Sequence, residues 1–386
     1  MTSYSKLQAH RECPQKYAYR YVHRLTSLAD ARNPDPEMGS WWHLLRAADA
    51  MDRGAKGPNV LEVDERVQLR PADVDTTLVD AAWKLLGRWE KSLTNSTMDK
   101  WVETFGAAPY DRLADMDAEW RERWQDETAH EEPLLVEVKF SRPLPDLRDP
   151  LSGASVPTSE NLVGYIDEIY RDKRRGFVVA RDYKSHRKLD GSTGAAEALD
   201  SQLHLYAWGS APMLKEMGIP QVRAVAYDRI RATAPKQPKV TQAGKLSASV
   251  KDYSLRTYLN WVADGVPFPG AKKDGSAAGL YTVEDKVVEN LSDPASRSAW
   301  TQRSLTPLNM SVIKSHLSAA ALTHIDSTRT EKLVEQLGEA PRNFTRSCKF
   351  CDFRELCVAQ MIGGNDGDYD LAALGLAHMQ RRGRGR

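Results

Sequence analysis

The feature that most constrains this chain is the placement of its four cysteines. Three form the run Cys348-Lys-Phe-Cys351-Asp-Phe-Arg-Glu-Leu-Cys357, a C-x2-C-x5-C pattern, and the fourth is Cys13, near the opposite end. Four cysteines in 386 residues are too few for a disulfide framework. Thiolates spaced this closely converge on one metal centre in a reducing compartment. Four of them satisfy either tetrahedral zinc or a four-iron cluster. Spacing leaves both open, and the local pattern by itself leans to zinc.

The formal net charge is +1, so the chain as a whole does not advertise nucleic-acid binding; a basic groove would have to come from uneven placement. The first residues lack the apolar stretch of a secretory signal, and no apolar run approaches the roughly 20 residues that span a bilayer. A cytoplasmic protein without a membrane segment is expected. No G-x-x-x-x-G-K-[ST] loop occurs, so no helicase motor is expected within the chain.

Periodicity divides the chain into five parts. Residues 1–45 read as helical: Ser3 is a candidate N-cap for a helix over 3–25, Pro14 should restart or kink it, and a helix begins near Gly39 after a polar loop. Residues 46–130 read as a Trp-rich helical insertion, with an apolar stripe through Leu78, Ala82, Leu85, Leu86, Trp89 and Leu93. Its tryptophans point to helix packing rather than base stacking. Residues 131–260 read as an α/β core, with strands at 134–140, 162–170, 176–184 and 221–230, a turn at 171–176, a polar loop at 185–196 and a helix near 197–215. Residues 229–251 carry Arg229, Arg231, Lys236, Lys239, Lys245 and Lys251 without an acid, and read equally as a phosphate-contacting segment or a solvated loop. Residues 261–362 read as mostly helical up to the cysteine run. Residues 363–386 read as a mobile tail ending Arg381-Arg-Gly-Arg-Gly-Arg386.

The chemistry concentrates in Gly164-Tyr-Ile-Asp167 and Asp182-Tyr-Lys184. Residues two apart on a strand share a face, so Asp182 and Lys184 project together, and hairpin pairing would bring Asp167 to the same spot. Two carboxylates can hold Mg2+ or Mn2+, and an adjacent lysine can orient or help deprotonate a water. An Asp and a Lys flanking one residue are, taken alone, an ordinary surface ion pair. Here the apolar run Phe177-Val-Val-Ala180 leads directly into them, and Gln202 and Tyr206 lie one helical turn apart downstream. His43, beside two tryptophans, reads in isolation as a packed residue. Glu137 reads as an exposed strand glutamate, with an accessory acid at the metal as the lesser reading.

Gly39-Ser-Trp-Trp-His43, Gly164-Tyr-Ile-Asp167, Asp182-Tyr-Lys184 and Gln202-Leu-His-Leu-Tyr206, taken in this order, resemble the motifs of the RecB-family branch of the PD-(D/E)XK nuclease superfamily. Ser3-Tyr-Ser-Lys-Leu7 and Cys13-Pro-Gln-Lys-Tyr17 resemble the same branch's N-terminal signature. The resemblance implies a restriction-endonuclease-like α/β core with a mixed central sheet. It makes Asp167 and Asp182 metal ligands, His43 a further ligand, Lys184 the catalytic lysine, and Gln202 and Tyr206 residues that position substrate or the lysine. Ile166-Asp167 stands where the superfamily has Pro-Asp, and the third motif uses Asp rather than Glu.

One N-terminal cysteine with a C-terminal C-x2-C-x5-C run is similar to the iron–sulfur nucleases of this branch, found in bacterial helicase–nucleases and in CRISPR adaptation. The resemblance therefore implies a 4Fe-4S cluster on Cys13, Cys348, Cys351 and Cys357, clasping the two ends of the chain. Such a crosslink closes a loop of more than three hundred residues and stabilises the fold by several kcal/mol, on the order expected for loops of that length. The expected function is a Mg2+- or Mn2+-dependent deoxyribonuclease, a single-strand exonuclease acting on DNA ends in recombination, repair or phage replication, with a helicase or recombination protein as a possible partner. Two other readings are a nuclease trimming precursors for CRISPR spacer acquisition and a DNA-binding scaffold that keeps the fold without cutting.

Overall fold

The structure, a computed structural model, describes all residues except 28–33, 65–66, 149–151, 190–199, 237–251, 265–284, 364–370, 373 and 380–386. Lys239, Lys245, Lys251, most of the loop expected at 185–196 and the basic tail lie outside the described residues.

The chain opens with a two-residue strand β1 (Thr2–Ser3) and helix α1 (Tyr4–Glu12), whose first turn is capped by the Ser3 hydroxyl accepting from the Lys6 N–H. The helical stretch expected over 3–25 breaks at Cys13, where the backbone is extended (φ −164°), at the restart or kink expected from Pro14. Pro14 then starts a second short helix, Pro14–Tyr17, as its fixed φ and missing N–H favour. Helix α2 (Asp35–Asp52) begins four residues before Gly39 and buries most of its length, including Trp41, Trp42, Leu44, Leu45 and Ala48.

The helical part of the insertion comprises α3 (Leu78–Lys91), α4 (Asn95–Phe105) and α5 (Pro109–Thr128). Each boundary has a local cause. The Thr77 and Thr94 hydroxyls cap α3 and α4, Gly106 ends α4 in the left-handed region (φ +86°), and Pro109 starts α5. Trp101, Trp120 and Trp124 are buried, and Trp41 packs on Trp89 at 5.2 Å between ring centroids. These rings are core.

The central sheet has six strands. β2 (Glu131–Pro143), β3 (Asn161–Asp172) and β4 (Phe177–His186) form an antiparallel meander, with Gly176 (φ +72°) in the β3–β4 turn. After helix α6 (Ser201–Glu216), β5 (Val222–Arg231) returns parallel to β4, and β6 (Thr301–Pro307) closes the far edge antiparallel to β5. β6 lies in the stretch expected to be helical. Its sequence, Thr-Gln-Arg-Ser-Leu-Thr-Pro, has little apolar alternation. It is held instead by Arg303, directly opposite Asp228 and hydrogen-bonded to it at 2.5 Å. A long helix, α7 (Met310–Leu337), and a shorter one, α8 (Arg354–Gly363), follow.

Arg229 and Arg231 correct the reading of the basic segment. Both are buried in β5, and Lys236 pairs with Asp252 at 3.5 Å. Among the described residues, no helix is long and apolar enough to cross a membrane.

One face of the sheet packs α1, α6 and α7 through Leu7, Phe140, Leu203, Leu205 and Leu317; the other packs α2 and the insertion through Trp41, Trp42, Trp101 and Trp120. Helix α6 sits very close to the sheet. A Cβ on Gly209 would lie 2.2 Å from the Phe140 ring, and one on Gly164 would lie 2.7 Å from the Tyr206 ring. An exposed helical Gly→Ala change stabilises by up to about 1 kcal/mol. At position 209 the aromatic contact reverses the sign, and Gly209→Ala should destabilise by about 1–3 kcal/mol, read as a lowered midpoint in chemical denaturation.

Candidate active site and cysteine cavity

The site arises where β3 changes partners. β4 pairs with β3 only from Asp172↔Phe177 to Glu168↔Arg181, while β1 pairs with Leu162 and Val163. Gly164–Asp167 lies between these two stretches of pairing. β4 does not end there; it stays paired with β5 as far as His186↔Arg231. The two strands therefore part at Asp167 and Asp182, which are next in register after the last paired rung.

Three contacts set the geometry of the cleft. The Tyr183 N–H donates to Asp167 Oδ2 at 2.7 Å. His43, on α2, meets the Tyr183 carbonyl through Nε2 at 2.7 Å. A carbonyl only accepts, so Nε2 carries the proton, and Nδ1, 3.6 Å from Asp167 Oδ2, offers a lone pair when the ring is neutral. Lys184 Nζ lies 2.7 Å from Asp182 Oδ2, and Gln202 Nε2 donates to Asp182 Oδ1 at 3.4 Å. Tyr206 packs edge-on against Phe140 at 5.2 Å and is hydrogen-bonded to Gln202. The structure thus gathers His43, Asp167, Asp182, Lys184, Gln202 and Tyr206 around one cleft.

Glu137 belongs to this cleft and not to the exposed surface. Val136↔Glu168 and Val138↔Ile166 place it directly opposite Asp167. Its backbone is left-handed (φ +49°), a conformation that costs a non-glycine residue on the order of 1–3 kcal/mol. The strand alternation breaks here, because Leu135, Val138 and Phe140 all pack into the same core. The sequence signal was an acid in the middle of the apolar run Leu134–Phe140. His43, Glu137 and Asp167 each present a ligand atom within 4.8 Å of the others, the one such group among the described residues.

The electrostatics of the cleft are those of concentrated negative charge. Burial, then the Asp167 charge, pushes the Glu137 carboxyl up to about 7 and the Asp182 carboxyl up to about 6. Burial works against charge on His43 and on Lys184, but the neighbouring carboxylates outweigh it and raise both. Burial also pushes the Tyr206 hydroxyl up to about 12, so it stays neutral. Converging carboxylates are hard donors suited to a divalent cation, and the His43 imidazole adds a borderline one when it is deprotonated.

Apart from this cleft, Cys13, Cys348, Cys351 and Cys357 line one cavity of about 280 Å3 together with Lys16, Tyr19, Arg342 and Phe344. Backbone N–H groups of Asn343 and Thr345 point at the Cys13 and Cys348 sulfurs, each at 3.4 Å. The two chain segments are also strapped directly: Gln15 N–H to the Pro341 carbonyl at 3.0 Å, Ala340 N–H to Gln15 Oε1 at 2.6 Å, and Asn343 Nδ2 to the Glu12 carbonyl at 3.2 Å. Burial raises the Cys351 thiol.

A sequence profile of the PD-(D/E)XK nuclease superfamily matches residues 1–358, and the chain belongs to that superfamily. A comparison with curated proteins returned no match. Among solved structures, the chain is similar to one titled "Crystal structure of SSO0001", at 12% identity over 64% of this chain and 67% of that one, with a TM-score of 0.21. A score that low carries no argument.

The raised carboxyls give a test with a definite sign. A group whose folded-state pKa is raised contributes stability below its unfolded value and loses it as pH rises through the folded value. For Glu137 and Asp182 that window runs from about 4 to about 7. The metal-free protein should therefore lose thermal stability across this range, and Mn2+ should raise the melting temperature more at pH 8 than at pH 5.5. Equal shifts at the two pH values would count against cation binding by these groups.

Proposed function

We propose that this chain is a metal-dependent deoxyribonuclease of the RecB-type branch, cutting DNA from free, single-stranded ends in recombination, repair or phage replication. The observation that carries the reading is the parting of β3 and β4 at Asp167 and Asp182, which places four ionisable ligand groups and Lys184 around one cleft. Asp167, Asp182, Glu137 and His43 would hold the cation. When bound, a divalent cation lowers the pKa of water and offsets charge on a scissile phosphate. The Asp182 and Asp167 carboxylates favour the charged form of Lys184, in which it donates hydrogen bonds to an incoming phosphate or water oxygen. Gln202 steadies Asp182 from α6, and neutral Tyr206 walls the site on that side. On this reading the nuclease core is residues 131–260 extended by β1 and β6, and residues 46–130 brace its far face.

The test uses end-labelled single- and double-stranded DNA with Mn2+ or Mg2+. The wild type should release short products from ends, and Lys184→Ala should lose at least a hundredfold in rate with its fold intact by circular dichroism. Wild-type protein that binds DNA and cuts none of it with either metal would favour a scaffold instead.

The cysteine cavity fits a 4Fe-4S cluster. The four cysteines line a cavity of about 280 Å3, far above the roughly 10–15 Å3 that one water needs on the same measure, and backbone N–H groups point at two of the sulfurs while Lys16 and Arg342 also line it. The three hydrogen bonds between the segments around Gln15 and Pro341 already join them, and the cluster would lock them, as a structural and not a redox element. Protein purified without oxygen should be brown and contain iron and acid-labile sulfide; colourless protein with stoichiometric zinc would refute the cluster.

A further inference from the structure

We propose that Tyr165 and Lys139 form a subsite that stacks one unpaired DNA base beside the scissile phosphate, restricting the enzyme to single-stranded or frayed ends. This deepens the nuclease reading and rests on it.

The argument starts from where Tyr165 lies. β3 is an inner strand, paired with β2 on one edge and with β4 and β1 in turn on the other. A tyrosine there is ordinarily covered. Its neighbours follow that rule: Ile166 is buried, and Gly164 lies against the Tyr206 and Phe140 rings beneath α6. Tyr165 points the other way and is 54% exposed. It lies inside the stretch Gly164–Asp167 between the two paired regions, the same stretch that opens the carboxylate cleft. It is two residues from Asp167 along the strand, about 7 Å.

Lys139 sits directly opposite Tyr165 on β2, with Nζ 5.8 Å from the ring centroid. An open aromatic face next to an exposed cation, one short step from the metal ligands, matches the two needs of a nucleotide: a surface for the base and a charge for the phosphate. In a duplex each base is stacked on its neighbours and must be unstacked and unpaired first, at a cost of a few kcal/mol. A strand end supplies such a base without that cost. The subsite therefore selects substrate by the state of its terminal base and not by sequence, because every base has a stacking face.

The test measures stacking apart from cutting. Oligonucleotides carrying 2-aminopurine at each of the three terminal positions are bound to the full-length protein in Ca2+, used in place of Mn2+ to hold DNA uncut. Wild type and Tyr165→Phe should quench the fluorescence at one position, and Tyr165→Ala should leave it unquenched. Single-strand affinity should fall about tenfold in Tyr165→Ala, with duplex affinity changed less than twofold. Lys139→Ala should weaken single-strand binding and reduce the salt slope by about one. Quenching by Tyr165→Ala equal to wild type, no quenching by wild type at any position, or equal loss for both DNA forms would each overturn the subsite. Hydrolysis of bis(p-nitrophenyl) phosphate in Mn2+, which offers no base to stack, is run alongside. If the wild type cleaves neither this diester nor DNA, the nuclease reading has failed, while the quenching result still decides whether the base is stacked.

Discussion

The site depends on a buried guanidinium. Arg181 is fully enclosed, donating to Glu168 at 2.9 Å and to Glu131 at 2.6 Å, with Nε 3.8 Å from Asp228. Arg303 binds the same Glu131 and Asp228 from β6. Three carboxylates thus share two guanidiniums, with Arg53 3.9 Å from Glu168. Removing one partner of such a buried group typically costs 3–5 kcal/mol, because the others are left without compensation. Glu168↔Arg181 is also the last paired rung between β3 and β4. The network therefore fixes where the two strands stop pairing, and Asp167 and Asp182 are the next residues along.

Tyr183 carries that constraint into the cleft. Its hydroxyl donates to Glu168 within the network at 2.5 Å, while its N–H holds Asp167 and its carbonyl holds the His43 ring. One residue thus connects the buried charges to an acid and an imidazole of the site. The Trp-rich insertion completes the arrangement from outside. The Arg303 guanidinium lies 4.4 Å from the Trp124 ring, and Arg46, also buried, lies against both Trp42 and Trp120. Aromatic faces exclude water there while still attracting the cations. The long segment between His43 and the sheet is thereby tied to the site it does not enter.

Much of this was legible in the sequence. Strands and the β3–β4 turn follow from period-two runs and Gly176. Asp182 and Lys184 were readable as neighbours because two residues on a strand share a face. The buried tryptophans followed from helical spacing. What stayed hidden has physical reasons. Glu137 enters the cleft through a left-handed backbone that no periodicity announces. β6 is held by an ion pair to Asp228 and has no apolar pattern to show. The restart at Pro14 was readable from the proline itself, whereas the division of the insertion turns on the Thr94 cap, Gly106 and Pro109, which lie beyond the apolar stripe over 78–93. Arg229 and Arg231 looked like surface charges because their burial depends on partners far away in the chain.

The central claim is that parted strands create one cation site from Asp167 and its neighbours. Anomalous diffraction at the manganese edge, from crystals soaked in Mn2+, tests it most directly. The account predicts a peak ligated by Asp167 together with His43, Glu137 or Asp182. A well-diffracting soaked crystal with no peak in that cleft, or with manganese bound only elsewhere, would contradict it.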